Sequence, residues 1–385
     1  MKFIVDRNLP LVTTAFGALG EVKALDTAFL TNASVRNADV LIVRSETTVD
    51  RALLEGSRVK FVGTATIGTD HVDLAYLSSK SIAFASASGC NANSVKEYIV
   101  SALLFLSSQG EFALKGKSIG VVGVGNVGSK VVQAAETLGM RVLQNDPPLA
   151  RQTGDRRFVP LDELMEADII TLHVPLTRSG PDATHHLFGK ARFGRLRPGA
   201  IFINTSRGAV VESQSLREAV INKQLRCTVL DVWENEPNID AELLNMVTLG
   251  TPHIAGYSME GKTNAVRMVR ESVCQHFGIS SSWDPAEELG DLPAPEINVT
   301  GGSASTESVL HQIVSRCYDI RIDDANLRRT VLHNTGDRGE WFRKLRSTYR
   351  VRREFSNSTV RLSRQYEFLA DTIVRLGFKY HLPPL

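Results

Sequence analysis

Three short segments in the second half of the chain carry an arginine, two carboxylates and a histidine, side chains that can bind an acid and move a proton. They are NTSRGAVV with Arg207, LDVWENEP with Asp231 and Glu236, and TPHIAGYS with His253, and each follows an apolar run. A guanidinium binds a carboxylate through two parallel hydrogen bonds, and an imidazole can take a hydroxyl proton near neutral pH. A carboxylate beside the resulting imidazolium orients the ring. The oxidation of a 2-hydroxy acid needs these three groups. We therefore predict that Arg207 binds the substrate carboxylate, His253 takes the proton and Glu236 supports His253.

Each of these residues also has an ordinary structural interpretation. His253 could be a core histidine, Arg207 a surface arginine at a turn, and Glu236, which precedes a proline, the start of a loop. Glu234 lies two residues before Glu236 and is a competing carboxylate. The functional interpretation therefore depends on whether the chain also carries a site for the hydride acceptor.

A dinucleotide site is indicated by Gly123, Gly125 and Gly128, which have the spacing G-x-G-x-x-G between a predicted strand, KSIGVV, and a predicted helix over 126–138. In such a turn the first glycine permits the tight bend, the second lets backbone approach the pyrophosphate, and the third lets helix and strand pack closely. The helix N-terminus attracts the phosphates. Asp146 follows the next strand, near the ~20-residue offset at which an acid meets the adenosine ribose and would repel a 2′-phosphate. We predict NAD rather than NADP; the alternative is a glycine-rich turn without a ligand.

The composition excludes several other classes of function. Lys plus Arg number 44 and Asp plus Glu 42, so no net charge draws the chain to nucleic acid or to a membrane surface. The N-terminus, MKFIVDRNLP, lacks the apolar stretch of a signal peptide, and the longest apolar run, YIVSALLFL, is about half of what spans a bilayer. We expect a cytoplasmic protein that binds neither nucleic acid nor membrane.

Cysteine and histidine spacing predicts no metal site. The four cysteines, at positions 90, 227, 274 and 317, are scattered and form no C-x-x-C pair. This pattern argues against a disulfide framework or a zinc site and fits a reducing compartment. His185 and His186 are adjacent and have no carboxylates at ligand spacing, so a structural role at a helix entry is favoured over ligation.

Apolar runs alternate with helical patterns through about the first 280 residues, and those typical of buried strands are FIV, VLIV, FVGT, IGVVGV, IITLHV and AIFIN. Continuous Val/Ile runs with helices between them indicate parallel, doubly wound sheets, in which ligands bind beyond the carboxyl ends of the strands. The two halves also resemble each other: NADVLIVRS matches EADIITLHV, and FVGTATIGTDHVD matches FINTSRGAVVES. We predict two related α/β units whose strand ends face one cleft.

The connecting and C-terminal segments have a different texture. GCNANSVKEYIVSALLFLSSQ predicts a long helix, with Ser94 and Glu97 at capping-box spacing near its start. Residues 279–302 are rich in Ser, Pro, Gly and acid and are typical of a linker. Helices are predicted around 305–318 and 363–376. We interpret this end of the chain as a third, small domain.

Several of these segments resemble the D-isomer-specific 2-hydroxyacid dehydrogenase family. The similarity is carried by GCNANSVKEY, GVGNVGSKVV, NTSRGAVV, DVWENEP and TPHIAGYSMEG and extends to about residue 280. It implies an α/β fold with two Rossmann-like doubly wound parallel-sheet domains, NAD as cofactor, and a catalytic set that falls on Arg207, Glu236 and His253. With a small α+β domain added, the expected division is a substrate-binding lid over 1–93 and 257–280, an NAD-binding domain over 94–256 and a dimerisation domain over 281–385.

A narrower resemblance, to one branch of this family, adds expectations about substrate and assembly. It rests on KFIVDRNLP, on LIVRSETTVD followed by FVGTATIGTDHVD, and on HIAGYSMEGK with a distinct C-terminal region. It implies a small phosphorylated 2-hydroxy acid as substrate, with contacts at Ser45, Thr66 and Tyr257, and a homodimer formed through the C-terminal domain. Ser45 and Thr66 could instead be hydroxyls that stabilise turns. The cofactor contacts implied by the glycine motif and the resemblance are Gly123, Gly125, Asn126, Val127, Gly128, Asp146, Val174, Pro175, Ser206, Asp231 and Gly256.

The basic stretch EWFRKLRSTYRVRREF, over 340–355, has more than one interpretation. It can be a solvated helix face with interface salt bridges, or Arg346 can reach the site of a partner subunit and help to bind the substrate phosphate. Arg44, beside Ser45, is a rival phosphate ligand. Nucleic-acid binding is disfavoured because the chain has no basic excess and no recognised motif.

Two rival functions remain open at this point. One is another member of the same family, such as a phosphoglycerate dehydrogenase whose C-terminal domain is regulatory, although this segment lacks regular strand–helix alternation. The other is a non-enzymatic NAD-sensing scaffold of the same fold. The joint presence of Arg207, Glu236 and His253 argues against a scaffold, which would not need all three.

Overall fold

The computed structural model describes residues 1–110, 112–289, 292, 294–300, 305–333 and 337–381. The chain divides into two compact units. The first unit contains Met1–Asn91 and Ser258–Pro293, and the second contains Ala92–Tyr257 and Ala294–Leu385.

The helices and strands follow one another in three stretches. Before residue 92 they are β1 (Lys2–Asp6), α1 (Val12–Gly17), β2 (Glu21–Leu25), α2 (Asn32–Val35), β3 (Val40–Val43), α3 (Arg51–Leu54), β4 (Phe61–Thr64), α4 (Leu74–Ser79) and β5 (Ala83–Ser86). Up to residue 257 they are α5 (Ala92–Gly110), β6 (Ser118–Val122), α6 (Asn126–Thr137), β7 (Arg141–Asn145), α7 (Pro147–Thr153), β8 (Ile169–Leu172), α8 (Lys190–Phe193), β9 (Ala200–Asn204), α9 (Ser213–Ile221), β10 (Leu225–Leu230), α10 (Ala241–Met246) and β11 (Leu249–Gly250). Thereafter they are α11 (Met259–Phe277), α12 (Pro285–Leu289), β12 (Glu296–Val299), α13 (Thr306–Cys317), α14 (Ile320–His333), α15 (Arg338–Ser347), β13 (Thr359–Leu362), α16 (Ala370–Leu376) and β14 (Lys379–His381).

The first unit is built on a five-stranded parallel sheet with the order β2-β1-β3-β4-β5. Successive residues of its strands enter different cores. Val40 and Ile42 lie in a cluster with residues of α11, whereas Leu41 and Val43 lie in a cluster with residues of α3 and α4. Because both faces of β3 are covered, this strand has no polar position, which explains its continuous apolar run.

The second unit contains a six-stranded parallel sheet with the order β11-β10-β9-β8-β6-β7. The register aligns the last residues of the strands, since Leu172 pairs with both Val122 and Asn204, and Asn204 pairs with Leu230. The residues that follow the strands therefore lie along one edge of the sheet. They are Gly123, Asp146, His173, Thr205 and Asp231.

The two sheets confirm the predicted parallel, doubly wound class and share one strand order. Read from β2 or from β7, each sheet runs second, first, third, fourth and fifth strand of its unit. NADVLIVRS and EADIITLHV contain the third strands, β3 and β8, and the other matched pair contains the fourth strands, β4 and β9. The two pairs of matched segments thus occupy equivalent places in the two units, which supports the proposed relationship between the units.

Residues 294–381 add a small parallel sheet, β12-β13-β14, with helices α13 to α16. Their apolar side chains join those of α5 and α6 in one core, in which Ile313 and Ile373 lie with Leu103 and Val131. The structure groups this region with 92–257, so the three-domain division with limits at 93, 256 and 280 stays a prediction. The described part of the predicted linker contains α12 and β12.

The capping-box prediction for Ser94 and Glu97 is wrong. Helix α5 begins at Ala92, so both residues lie inside it. Ser94 Oγ donates to Glu354 Oε1 at 2.9 Å, and Glu97 Oε1 accepts from the amide of Phe355 at 2.9 Å. Both side chains are therefore used for contacts with the C-terminal region.

Candidate active site

The glycine-rich turn after β6 has the geometry of a dinucleotide-binding turn. Gly123 has a φ of +85°, and a Cβ there would lie 2.8 Å from the His173 carbonyl oxygen. A Cβ at Gly128 would overlap the carbonyl of Gly123, so α6 packs closely against the turn. A Cβ at Gly125, which precedes α6, would meet no atom within 4 Å. The turn is therefore closed on the protein side and open at Gly125, where a pyrophosphate would approach.

Asp146 lies at the end of β7, as the sequence predicts, and holds two segments together. Its Oδ2 accepts from the amide of Val124 at 2.8 Å, and its Oδ1 accepts from the amide of Leu149 at 3.0 Å in the first turn of α7. The carboxylate is thus fixed beside the glycine-rich turn. An acid at this place suits the ribose hydroxyls of NAD and opposes a 2′-phosphate.

His253 and Glu236 form a hydrogen-bonded pair. His253 Nδ1 donates to Glu236 Oε2 at 2.7 Å, and the amide of Trp233 donates to Glu236 Oε1 at 2.7 Å. Burial by itself raises the pKa of Glu236, but His253, the Trp233 amide and Arg346 together bring it below its ordinary value. The carboxylate therefore stays ionised beside the imidazole.

Glu234, the competing carboxylate, faces elsewhere. It accepts from His186 Nε2 at 2.6 Å and from the amide of Ser213 at 3.0 Å. Asn235 between the two acids has a φ of +63°, and this left-handed residue turns the two carboxylates to different partners. The structure thus brings Glu236, and not Glu234, to His253.

Arg207 lies on the loop after β9, next to the segment that carries Glu234. Its backbone carbonyl accepts from Asn204 Nδ2 at 3.0 Å, and its Nη1 donates to the carbonyl of Ser206 at 2.8 Å. The following residue, Gly208, packs against backbone, since a Cβ there would overlap the carbonyl of Trp233. The loop of Arg207 and the loop of Glu236 are therefore in direct contact.

Asp231 fixes the loop that carries His253. Its Oδ1 accepts from the amide of Ile254 at 2.8 Å and from Thr251 Oγ1 at 2.7 Å, and its Oδ2 accepts from the amide of Ala255 at 2.9 Å. The backbone carbonyl of Asp231 accepts from the amide of His253 at 2.7 Å. His253 has a φ of +56°, and these bonds hold it in that strained conformation.

Sequence reasoning missed two residues behind this loop. The hydroxyl of Tyr98, in α5, lies 2.7 Å from Thr251 Oγ1, and Trp233 Nε1 donates to the carbonyl of Thr251 at 2.9 Å. Tyr98 belongs to the apolar run that predicts a helix core, and nothing in that run singles out its hydroxyl. Its role depends on a contact over 153 residues of sequence.

His173 is a half-buried histidine at the same edge of the sheet. Burial lowers its pKa to about 3. Its Nε2 lies 2.9 Å from Thr171 Oγ1 and its Nδ1 lies 3.3 Å from Thr205 Oγ1. The predicted backbone contacts Val174 and Pro175 follow it directly in the chain.

The predicted substrate contacts of the first unit lie just beyond its strands. Thr66 Oγ1 is 2.7 Å from Thr64 Oγ1 and donates to the carbonyl of Gly68 at 3.0 Å. Arg44, which precedes Ser45 at the end of β3, donates from Nε to Asp6 Oδ2 at 3.1 Å and from Nη2 to Glu46 Oε2 at 3.3 Å. The guanidinium of Arg44 is thus already between two carboxylates.

Tyr257, the predicted substrate contact in the second unit, meets the C-terminal region. Arg346 Nη2 donates to the hydroxyl of Tyr257 at 3.1 Å. Both residues belong to this chain, whereas one of the two sequence interpretations placed Arg346 or a neighbour at the site of a partner subunit. Gly256, a predicted cofactor contact, immediately precedes Tyr257.

The described residues show neither a metal site nor a helix that could span a membrane. In the part of the chain that the structure describes, no group of three or more His, Cys, Asp or Glu side chains is arranged to hold a metal ion. His185 stacks on His186 with ring centroids 4.0 Å apart, and His186 is paired with Glu234. Within the same described residues, no helix has the length and apolar character needed to cross a membrane.

Comparison with known proteins agrees with this geometry. Residues 106–255 match the family model "D-isomer specific 2-hydroxyacid dehydrogenase, NAD binding domain", and residues 292–377 match a domain of unknown function. Among solved structures, NAD-bound 3-phosphoglycerate dehydrogenase of Entamoeba histolytica is similar with a TM-score of 0.62 at 25% identity, over 72% of this chain and 95% of that one. The NAD complex of formate dehydrogenase from Staphylococcus aureus has a TM-score of 0.60 at 26% identity, over 72% and 96%.

Two curated relatives match along almost the whole chain. Erythronate-4-phosphate dehydrogenase of Chromohalobacter salexigens is 44% identical over 99% of both chains. That of Azotobacter vinelandii is 44% identical over 98% of this chain and 99% of its own. The glycine-rich turn, the acid at the end of β7 and the NAD-binding family model identify NAD as the cofactor. The chain therefore belongs to the erythronate-4-phosphate dehydrogenase family of NAD-dependent oxidoreductases.

Proposed function

We propose that the chain oxidises 4-phospho-D-erythronate to 3-hydroxy-2-oxo-4-phosphobutanoate, a step in the synthesis of pyridoxal 5′-phosphate, or vitamin B6. The relatives that match over nearly the whole chain carry the name of this activity. The observation that carries the chemical part of the proposal is the His253–Glu236 pair, at 2.7 Å, in the same unit as the dinucleotide turn.

In this proposal Arg207 binds the substrate carboxylate and so fixes C2 with its hydroxyl towards His253. Because His253 Nδ1 is held by Glu236, Nε2 is the ring nitrogen that takes the hydroxyl proton. NAD, when bound, accepts the hydride that leaves C2, and the substrate becomes the 2-oxo acid. Glu236 stabilises the imidazolium that this proton creates.

The proposed cofactor contacts are those that the glycine motif and the resemblance imply. Gly123, Gly125 and Gly128 with the first turn of α6 suit the pyrophosphate, and Asp146 suits the adenosine ribose. Asp231 also stays a proposed contact, although its carboxylate accepts three hydrogen bonds from the loop of His253. Its contribution to the cofactor site then includes holding that loop in place.

The same proposal covers assembly and location. We infer a cytoplasmic homodimer that forms through the C-terminal region, as the narrower resemblance implies. All four cysteines are free, which suits a reducing compartment. In the C-terminal region Ile322, Val351, Phe368 and Val374 are exposed, and such side chains suit a protein interface. Sedimentation velocity of the purified chain tests the dimer, and a monomer at micromolar concentration contradicts it.

The first experiment follows NADH formation with 4-phospho-D-erythronate and with D-3-phosphoglycerate. We expect a strong preference for the four-carbon substrate. A preference for phosphoglycerate would keep the chemistry and reject the assigned substrate. No turnover with either substrate, in a protein that still binds NAD, would favour the scaffold instead.

A set of variants tests the assigned roles. His253→Gln removes the proton acceptor, and we expect kcat to fall by about 10²–10⁴ while the affinity for NAD stays unchanged. His381→Gln, at the exposed end of β14, is the matched control and should retain full activity. Arg207→Lys keeps the charge but loses the bidentate geometry, so KM for the substrate should rise. A His253→Gln variant with wild-type kcat would reject the proposed chemistry.

A further inference from the structure

Helix α15 belongs to the region that matches a domain of unknown function, and its first turn packs against the catalytic loop. A Cβ at Gly339 would overlap the side-chain oxygen of Asn238, which lies two residues after Glu236. Phe342, one turn further along α15, is fully buried and belongs to the same core cluster as Trp233. The N-terminal half of α15 is therefore fixed on the segment that carries Glu236.

The last turn of α15 reaches the other catalytic segment. Arg346 Nη2 donates to the hydroxyl of Tyr257 at 3.1 Å, and the guanidinium lies 5.7 Å from the centre of the Tyr257 ring. Tyr349 packs edge-on against the same ring, with centroids 5.8 Å apart, and its own hydroxyl donates to Asp323 Oδ2 at 2.7 Å. Tyr257, four residues after His253, is thus held by two side chains of the C-terminal region.

The basic stretch 340–355 is not uniform. Arg343, Lys344 and Arg350 are exposed, whereas Arg346 is half-buried. Arg346 is also among the groups that lower the pKa of Glu236, so its positive charge acts at the catalytic pair. Arg346 therefore reaches the side chain of Tyr257, whereas Arg352 is buried against the backbone of the same loop. The exposed Arg343 and Lys344 on α15 provide controls.

We propose that Arg346, together with the hydroxyl of Tyr257, binds the phosphate group of the substrate, so that the C-terminal region completes the substrate site of its own chain. This inference rests on the proposed function. A four-carbon substrate with a carboxylate at one end and a phosphate at the other requires two cationic partners. Arg207 serves the carboxylate, and the planar guanidinium of Arg346 matches phosphate oxygens.

Arg44 is the rival for this role, and its surroundings are less suitable. Its guanidinium lies 3.1 Å from Asp6 and 3.3 Å from Glu46. A phosphate dianion there would meet two carboxylates, and its charge would be opposed at short range. Arg346 also acts on one carboxylate, that of Glu236, but its Nη2 donates to a neutral phenol, which can itself donate to a phosphate oxygen.

The test compares 4-phospho-D-erythronate with D-erythronate, which lacks the phosphate. Arg346→Gln should lower kcat/KM for the phosphorylated substrate on the order of 10- to 100-fold more than it lowers kcat/KM for D-erythronate, mainly through KM. Arg346→Lys should recover part of the loss. Arg343→Gln, on the exposed face of α15, should behave as the unmodified chain. Thermal unfolding and NAD affinity, measured on every variant, verify that each is folded.

The inference fails if Arg346→Gln impairs both substrates equally, because the residue then only supports the catalytic loop. It also fails if Arg44→Gln raises KM and Arg346→Gln does not. If D-erythronate turns over too slowly, inhibition by inorganic phosphate replaces it, and its inhibition constant should rise at least about 10-fold in Arg346→Gln. Failure of the proposed function is a separate outcome: the unmodified chain would then bind NAD but not oxidise 4-phospho-D-erythronate.

Discussion

Three buried polar side chains connect α5 to the loop of His253, and their hydrogen bonds lead to a quantitative prediction. Tyr98 is fully buried and its pKa is raised well above the usual range by burial, so the phenol stays protonated. Its hydroxyl donates to Thr251 Oγ1 at 2.7 Å, and Thr251 Oγ1 donates to Asp231 Oδ1 at 2.7 Å. Asp231 in turn accepts the amides of Ile254 and Ala255. The chain of hydrogen bonds therefore ends on the residues that follow His253.

Thr251→Val keeps the shape of the side chain and removes its hydroxyl. Tyr98 then retains a buried donor without an acceptor, at about 1–3 kcal/mol, and the carboxylate of Asp231 loses a hydrogen bond of about 1.5–3 kcal/mol. Burial of a methyl group in place of the hydroxyl offsets part of this loss. We expect the free energy of unfolding to fall by roughly 2–4 kcal/mol.

A second substitution, Tyr98→Phe, should change the free energy of unfolding in opposite directions in the two backgrounds. Tyr98→Phe alone should destabilise by about 0.5–1.5 kcal/mol, because it removes one hydrogen bond. In the Thr251→Val background it removes the unsatisfied donor, and it should then restore about 1–2 kcal/mol. The same change is thus destabilising in one background and stabilising in the other, which a simple loss of packing would not produce.

Urea unfolding followed by circular dichroism measures these differences for the second unit, with Thr153→Val on the exposed end of α7 as control within about ±0.5 kcal/mol. In the same variants kcat should fall, since the loop that holds His253 at a φ of +56° loses support. The reasoning is refuted if Thr251→Val is as stable as the control. It is also refuted if the two substitutions are simply additive.

Three other predictions follow from the site. Asp146→Ala should lower kcat/KM with NAD and reduce the ratio of kcat/KM with NAD to kcat/KM with NADP. If steady-state kinetics show an unchanged ratio, the assigned ribose contact is contradicted. Glu234→Gln and His186→Gln should each weaken the hydrogen bond between Glu234 and His186, next to the Arg207 loop, and raise KM for the substrate. The KM of the double variant should be no higher than that of either single variant, and full additivity of the two effects would contradict a shared interaction. His173 has a folded pKa of about 3 against an ordinary value of 6.5, so the unfolded chain binds the extra proton and stability falls as pH drops through this window. His173→Gln should flatten that part of the stability profile, and an equally steep profile in urea unfolding would contradict this origin.

The sequence predicts the fold and the general location of the site because parallel sheets impose simple rules. Strands covered on both faces are continuously apolar, and the carboxyl ends of parallel strands share one edge. Gly123 and Asp146 each follow a predicted strand, and Asp231 follows an apolar run that forms β10, so their proximity follows from topology. The acid–histidine pair could be expected for the same reason, since Glu236 and His253 lie in the loops that follow β10 and β11.

What the sequence cannot supply is direction and long-range contact. Glu234 and Glu236 have the same chemistry and nearly the same position, and only the left-handed turn at Asn235 separates their partners. The spacing of Ser94 and Glu97 fits a local cap, yet each side chain bonds a residue about 260 positions away. No local pattern encodes these partners, because they depend on how the C-terminal region packs on α5.

The packing of the C-terminal region on α5 couples the stability of that region to the stability of the loop of His253. Arg352 is fully buried and donates to the carbonyls of Ala255 at 3.1 Å and Ser94 at 2.6 Å, so one guanidinium joins the loop of His253 to α5. Burial raises the pKa of Glu97, beside Arg352, to about 8. Buried groups of this kind persist only where their partners stay in place, because one left unpaired destabilises the fold by several kcal/mol, on the order of 3–5. The loop of His253 and the region of unknown function therefore stabilise one another. The packing that buries Arg352 also places Arg346 beside Tyr257.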